Sequence, residues 1–196
     1  PLRRVHARPV TIAAVLRQFL PAFIARGLGC PHVHKILRRL SRCLTGLLGW
    51  GDRAAGCFVS GGTVGNLSAL AAARHQALTR RGSRPEGGWQ VACSAGAHSS
   101  IAAAARVLDV DVLDVPEDEH GHLTGAALRA TVSDTERLFA VVASAGTTNA
   151  GVIDDLHSVA GFCAEHEIWL HVDGAYGGAG LVSPRLRPRY AGIELA

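Results

Sequence analysis

Asp173 ends the apolar run Ile168-Trp169-Leu170-His171-Val172 and is followed at once by Gly174, Ala175, Tyr176, Gly177 and Gly178. A hydrophobic run that delivers one carboxylate and then breaks into small residues reads as a buried strand ending at a sheet edge. Open α/β sheets bind their ligands at that edge. A buried carboxylate there needs a cation or hydrogen-bond donors. No Lys or Arg occurs between Arg137 and Arg185, so the partner is either a residue distant in sequence or a bound cofactor. Other positions carry chemistry that could converge with it. Gly61-Gly62-Thr63 precedes a helical pattern, where backbone N–H groups and one hydroxyl can gather around a phosphate at the positive end of the helix. An ordinary tight turn fits the same three residues. No Lys-Ser/Thr pair follows as in a Walker loop, and the Gly-x-Gly-x-x-Gly spacing of dinucleotide folds is missing. His98 lies just past one apolar run, and Thr148 lies in Gly146-Thr147-Thr148 just past another.

The elements that must position these residues follow from periodicity. The short apolar run 56–60 enters the Gly-Gly-Thr turn, and Leu67, Leu70, Ala71 and Arg74 then mark a helix by their i, i+3, i+4 spacing. Residues 89–93 read as a strand and 99–108 as a helix that Ser99 or Ser100 can cap. Residues 110–115, 124–132 and 138–143 read as strand, helix and strand. Leu156, Val159, Ala160 and Cys163 line the buried face of a further helix, with Asp154 and Asp155 at its positive end. Alternating units of this kind predict an α/β fold, a mostly parallel sheet flanked by helices with right-handed crossovers. On that plan His98, Thr148 and Asp173 share one edge, and the turn at Gly62 and Thr63 joins them. Within β-type alternation His171 points opposite to Val172, which favours a structural role for it. Residues 11–48 suggest two short helices interrupted by Pro21, Gly27, Gly29 and Pro31.

A phosphate cradle, a flat ring partner and a buried carboxylate together suit pyridoxal 5'-phosphate. Its phosphate would sit at the helix start, and the Asp would keep its pyridine nitrogen protonated so that the ring can accept electrons. Asp173 would then find its partner in the cofactor and not in another side chain. Metal chemistry is not expected: His32 and His34 lack a third ligand at suitable spacing, and His120 and His122 lie in an acidic loop without a ligand pattern.

Composition narrows the class further. The chain has 196 residues, 48% of them hydrophobic, and 23 glycines, which suits one domain with a sizeable core. Residues 1–50 hold nine Lys or Arg and no acid, whereas residues 51–196 hold eleven basic and sixteen acidic residues. The basic opening lacks the interleaved aromatics of a nucleic-acid groove, so no nucleic-acid partner is expected. No long charge-free apolar stretch predicts a membrane span. The five cysteines form no Cys-x-x-Cys pair and read as reduced core thiols of a cytoplasmic protein. The start at Pro1 and the lack of Met read as a piece of a longer coding sequence.

Four motifs in order carry a resemblance: Gly61-Gly62-Thr63-Val64-Gly65-Asn66-Leu67 with Ala72-Ala73-Arg74; Ala97-His98-Ser99-Ser100; Ala145-Gly146-Thr147-Thr148; and the block from Trp169 to Gly178. Residues 47–196 resemble the group II pyridoxal-phosphate-dependent amino acid decarboxylases, which act on aromatic amino acids, histidine, glutamate and similar substrates. The resemblance implies the large-domain core of the type I, aspartate aminotransferase-like fold and a homodimer with its active site near the subunit interface. Residues 1–46 form a basic helical segment outside it. Gly62 and Thr63 would hold the phosphate, and Asp173 the pyridine nitrogen. His98 would lie against the ring beside the substrate as the catalytic imidazole, Thr148 would touch the cofactor, and Ala175 would pack on the opposite ring face. Asp154 matches an acid after the Gly-Thr-Thr loop and reads either as a group supporting the site from behind or as a helix cap, the cap being favoured. The family's Schiff-base lysine lies roughly thirty residues past its Asp, beyond Ala196; Lys35 is the only lysine here and stands far from that position. A decarboxylase fragment is therefore the expected reading, and the alternative is a non-catalytic remnant that serves as a binding or dimerisation module.

Overall fold

The computed structural model describes residues 31–50, 54 and 56–196. The first of the two helices expected within 11–48, Cys30, and the side chains of His32, His34 and Lys35 lie outside the described residues. Helix α1 spans Pro31–Leu47. The sequence suggested a break at Pro31, yet helices accept Pro in their first turn, where its missing N–H costs nothing.

The next helix, α2, runs over Gly62–Arg81 and stops at Gly82, which adopts a left-handed φ of 79° and returns its N–H to Leu78 O. The apolar run 56–60 leading into it forms no strand. From there strand and helix alternate: β1 Gln90–Ser94, α3 Ser100–Leu108, β2 Asp111–Val115, α4 Gly125–Thr131, β3 Leu138–Ser144, α5 Leu156–Glu165 and β4 Trp169–Asp173. Three short 3-10 turns follow, over Gly177–Val182, Arg187–Tyr190 and Ile193–Leu195.

All four strands pair in parallel, in the order β2-β1-β3-β4. The chain leaves β1 to one side for β2 and comes back on the other side of β1 for β3. Their boundary is thus a topological switch point, where a crevice opens outside the carboxyl ends. Every residue of β3 is buried, as a central parallel strand covered on both faces requires.

Two apolar layers cover the sheet. On one face Leu70, Ala73 and Ala77 of α2 pack with Ile101, Ala104 and Ala105 of α3 against Val91, Phe139 and Trp169. On the other, Leu128 of α4 and Leu156, Val159 and Phe162 of α5 pack against Ala92, Val141 and Leu170. Trp169, His171 and Asp173 therefore share the α2/α3 side of β4, while Leu170 and Val172 face the α5 side. Two of the expected core thiols are not in the core: Cys93 and Cys163 are buried, whereas Cys43 and Cys57 are exposed. The latter two belong to α1 and to the irregular segment before α2, which present them to solvent.

Candidate cofactor site

Helix α2 enters the site by its amino terminus. Its first turn holds no acidic side chain and no side-chain cap, and the first intrahelical bond runs from Gly65 N–H to Gly61 O at 3.0 Å. The N–H groups of Gly62, Thr63 and Val64 thus form a donor set that favours an anion. A Cβ built on Gly62 would lie 3.0 Å from the Cβ of Ala175. The helix start and the loop after Asp173 therefore meet, with room only for small residues between them.

That loop is held by close backbone packing. Gly146 has a φ of +103°, and a Cβ on it would stand 2.6 Å from Gly177 Cα. A Cβ on Gly177 would stand 2.4 Å from Ala145 O. Two glycines here let the loops after β3 and β4 touch through their backbones. Ala145 N–H donates to Asp173 O at 2.9 Å, and Tyr190 Oη–H donates to Gly177 O at 2.5 Å.

Asp173 is half-buried at the end of β4. Its Oδ1 accepts the Ala175 N–H at 3.0 Å, and its Oδ2 accepts a proton of Asn66 Nδ2 at 2.8 Å. The expectation of a carboxylate without a side-chain partner is therefore corrected: Asn66, 107 residues earlier, supplies one. A carboxylate has about four acceptor positions, so room remains for a further N–H.

Asn66 is buried in the first turn of α2 and joins three groups. Its Nδ2 also donates to Ser100 Oγ at 2.9 Å, and its Oδ1 accepts from His171 Nε2 at 2.9 Å. His171 is buried, and burial holds its imidazole well below the usual value, against a smaller opposing pull from Asp173. With the amide NH2 turned to the Asp173 carboxylate, the amide oxygen faces His171, and a neutral ring there donates through Nε2.

His98 follows β1 and is exposed. Its Nδ1 lies 2.8 Å from Ser100 Oγ and accepts the Ser100 N–H at 3.2 Å. Ser100 was expected, with Ser99, as a cap of α3. Ser99 stands at the cap position without a side-chain bond, and the Ser100 hydroxyl turns instead to His98 and Asn66, partners that offer it both an acceptor and a donor.

Thr148 sits exposed in the turn after β3, and its neighbour Thr147 is the structural one. Thr147 Oγ1 accepts the Val152 N–H at 3.1 Å, and its N–H donates to Val152 O at 2.9 Å. Asp154, expected as a helix cap, does other work. Buried below the turn, it accepts the Ser144 N–H at 2.6 Å and the Leu123 N–H at 2.8 Å. Burial pushes its carboxyl up to about 6, although both N–H bonds favour the charged form. Asp155 is the cap of α5 and accepts the Ser158 N–H at 3.1 Å, because it directly precedes the first helical residue.

The described residues thus bring Gly62, Ala175, Asp173 and, through Asn66 and Ser100, His98 into one connected cluster. Thr63 stands exposed beside Gly62 at the helix start, and among the described residues no side-chain hydrogen bond joins Thr148 to the cluster. Sequence reasoning missed Asn66 and Ser100 as members of it. Among the described residues no group of three or more His, Cys, Asp or Glu could hold a metal ion.

An open parallel sheet with an uncapped helix start and a carboxylate at its carboxyl edge defines an α/β domain of the kind that binds anionic ligands at that edge. The donor set suits pyridoxal phosphate: an anion-seeking helix start, a close Gly–Ala cradle and a carboxylate with acceptor capacity to spare. The chain belongs to the family defined by the pyridoxal-dependent decarboxylase conserved domain, which matches residues 31–196. An aromatic-L-amino-acid decarboxylase of Bacillus atrophaeus is 34% identical over 78% of this chain and 32% of its own length. An L-2,4-diaminobutyrate decarboxylase of Rhizobium meliloti (strain 1021) is 36% identical over 96% of this chain and 39% of its own. The crystal structure of mouse CSAD superposes with a TM-score of 0.76 at 30% identity, covering 85% of this chain and 37% of that one. The fold is therefore that of the pyridoxal-dependent decarboxylases, and the chain spans about a third of the length of these relatives.

Proposed function

We propose that this chain is the cofactor-binding part of a pyridoxal-phosphate-dependent carboxy-lyase that removes the carboxylate of an L-amino acid, aromatic or similar in its side chain. The observation that carries this reading is the Asp173 carboxylate, oriented by Asn66 and Ala175 N–H at the edge where the uncapped start of α2 arrives. Gly62 and Thr63 hold the phosphate through backbone N–H groups and a hydroxyl. Asp173 accepts the pyridine N–H. His98 serves the ring and substrate side as the catalytic imidazole, Ala175 flanks the other face, and Thr148 contacts the cofactor from the turn after β3.

When bound, pyridoxal phosphate supplies an electron sink for the pair left behind as carbon dioxide departs. The protein's residues contribute orientation and charge. An ionised Asp173 favours a protonated ring nitrogen. The Ser100 N–H and Oγ face Nδ1 of His98, so in the neutral ring the proton sits on Nε2.

A homodimer working in the cytoplasm completes the reading. It is supported by exposed apolar side chains beside the site, with Tyr176 63% and Val182 68% exposed. No helix among the described residues is long and apolar enough to cross a membrane.

The test is carbon dioxide release from L-amino acids by the whole protein supplied with pyridoxal phosphate. Asp173→Asn should keep part of the cofactor and lose most of the turnover. Unchanged turnover overturns the role given to Asp173.

A further inference from the structure

Asn66 joins three residues, His171 and Asp173 on β4 and Ser100 at the start of α3, and its two amide ends do different things. The oxygen end meets His171 Nε2 at 2.9 Å inside the layer between α2 and the sheet. Its nitrogen end meets Asp173 Oδ2 at 2.8 Å and Ser100 Oγ at 2.9 Å. An amide can do this in only one orientation. An ionised carboxylate accepts only from the NH2 end, so the carbonyl oxygen faces His171, whose Nε2 then carries the proton. Trp169, His171 and Asp173 share one face of β4, so a single buried side chain on α2 spans the two polar members. The same amide passes its second proton to Ser100 Oγ, which leaves the Ser100 hydroxyl proton to face His98 Nδ1 at 2.8 Å.

We infer that Asn66 is a positioning residue of the cofactor site: His171 locks its amide, and the locked amide orients Asp173 directly and His98 through Ser100. This rests on the cofactor reading above. It gives buried His171 a purpose without assigning it any contact with ligand, and it explains why a polar side chain occupies the buried face of α2 next to Gly65 and Ala69. The bond to His171 anchors Asn66 in the fold. The two donated bonds carry the orientation to the site.

Asn66→Asp separates these parts. The new carboxylate still accepts from His171 Nε2, but it presents oxygen to Asp173 and Ser100 where the amide presented protons. Two facing carboxyl groups must then share a proton. Binding of pyridoxal phosphate to the full chain, followed by quenching of tryptophan fluorescence, should weaken tenfold or more in Asn66→Asp. A 13C carboxyl titration should show a coupled pair that the unsubstituted chain lacks. Nitrogen-15 spectra of labelled histidines in the unsubstituted chain, assigned with His171→Gln and His98→Gln, read the network without any change at Asn66. His171 protonated on Nε2 is expected, and so is His98 bare at Nδ1 whenever its ring is neutral.

A His171 ring bare at Nε2 means the amide is reversed and overturns the proposal, as does unchanged cofactor affinity in Asn66→Asp. An unsubstituted chain that binds no pyridoxal phosphate overturns instead the cofactor reading on which the role depends. The histidine spectra still decide whether the network is set as described.

Discussion

Gly62 and Ala175 stand so close that a Cβ on the glycine would come within 3.0 Å of the alanine Cβ. The start of α2 and the loop after Asp173 thus close on each other through the smallest available side chains, and the cofactor reading proposed above puts the ring and its phosphate in the space beside them. Ala175→Leu should fill it. The larger side chain would press on the start of α2, so unfolding free energy should fall by about 1–3 kcal/mol. Cofactor affinity should fall at least tenfold, about 1.4 kcal/mol. Titration with pyridoxal phosphate and urea unfolding of the same samples check the two halves.

Gly146→Ala addresses the seam between the loops after β3 and β4. The new methyl would have to share space with Gly177 Cα at 2.6 Å, on a residue whose φ is +103°. Both effects act on the backbone, where little can give, so a loss of about 2–3 kcal/mol is expected. Gly151→Ala is the comparison. It carries the strained φ of +69° without any atom within 4 Å, so it should cost about 1 kcal/mol. Denaturant midpoints of the two variants separate contact from strain.

Stability between about pH 4 and 6 should carry two opposed contributions. The Asp154 carboxyl is raised by burial to about 6 in the folded chain, so the folded state binds the extra proton in this window. Its contribution is present at low pH and is lost as pH rises through the folded value, by up to about 3 kcal/mol for a shift of roughly two units. His171 is lowered by burial, so its contribution is present above the ordinary imidazole value and is lost as pH falls through its depressed folded value. Urea unfolding across the window should show the unsubstituted chain losing stability relative to Asp154→Asn as pH rises, and gaining it relative to His171→Gln. Parallel curves for either pair would remove that group from the account.

Much of this was legible in the sequence, and what was not follows a pattern. Strand and helix alternation, the parallel sheet and the position of His98, Thr148 and Asp173 at or just past carboxyl ends of strands all come from periodicity, which local residues set. The side of β4 on which His171 lies followed from parity alone. Asn66 could not be read in the same way, because its partners lie 34, 105 and 107 residues away and meet it only once α2 packs on the sheet. That Asp155 and not Asp154 caps α5 has a smaller cause. Two adjacent acids before a helix both satisfy the capping pattern, and the choice depends on whether the helix begins at Leu156 or one residue earlier. Ser100 does not cap because the helix begins on it, with Ser99 at the cap position, and its hydroxyl is left to Asn66 and His98.

The most direct measurement is the protonation state of the pyridine nitrogen in 15N-labelled pyridoxal phosphate bound to this chain. A nitrogen protonated at neutral pH in the unsubstituted chain and unprotonated in Asp173→Asn is the expected result. An unprotonated nitrogen in the unsubstituted chain, or a protonated one in both, would contradict the assignment of Asp173 as the carboxylate that holds the ring.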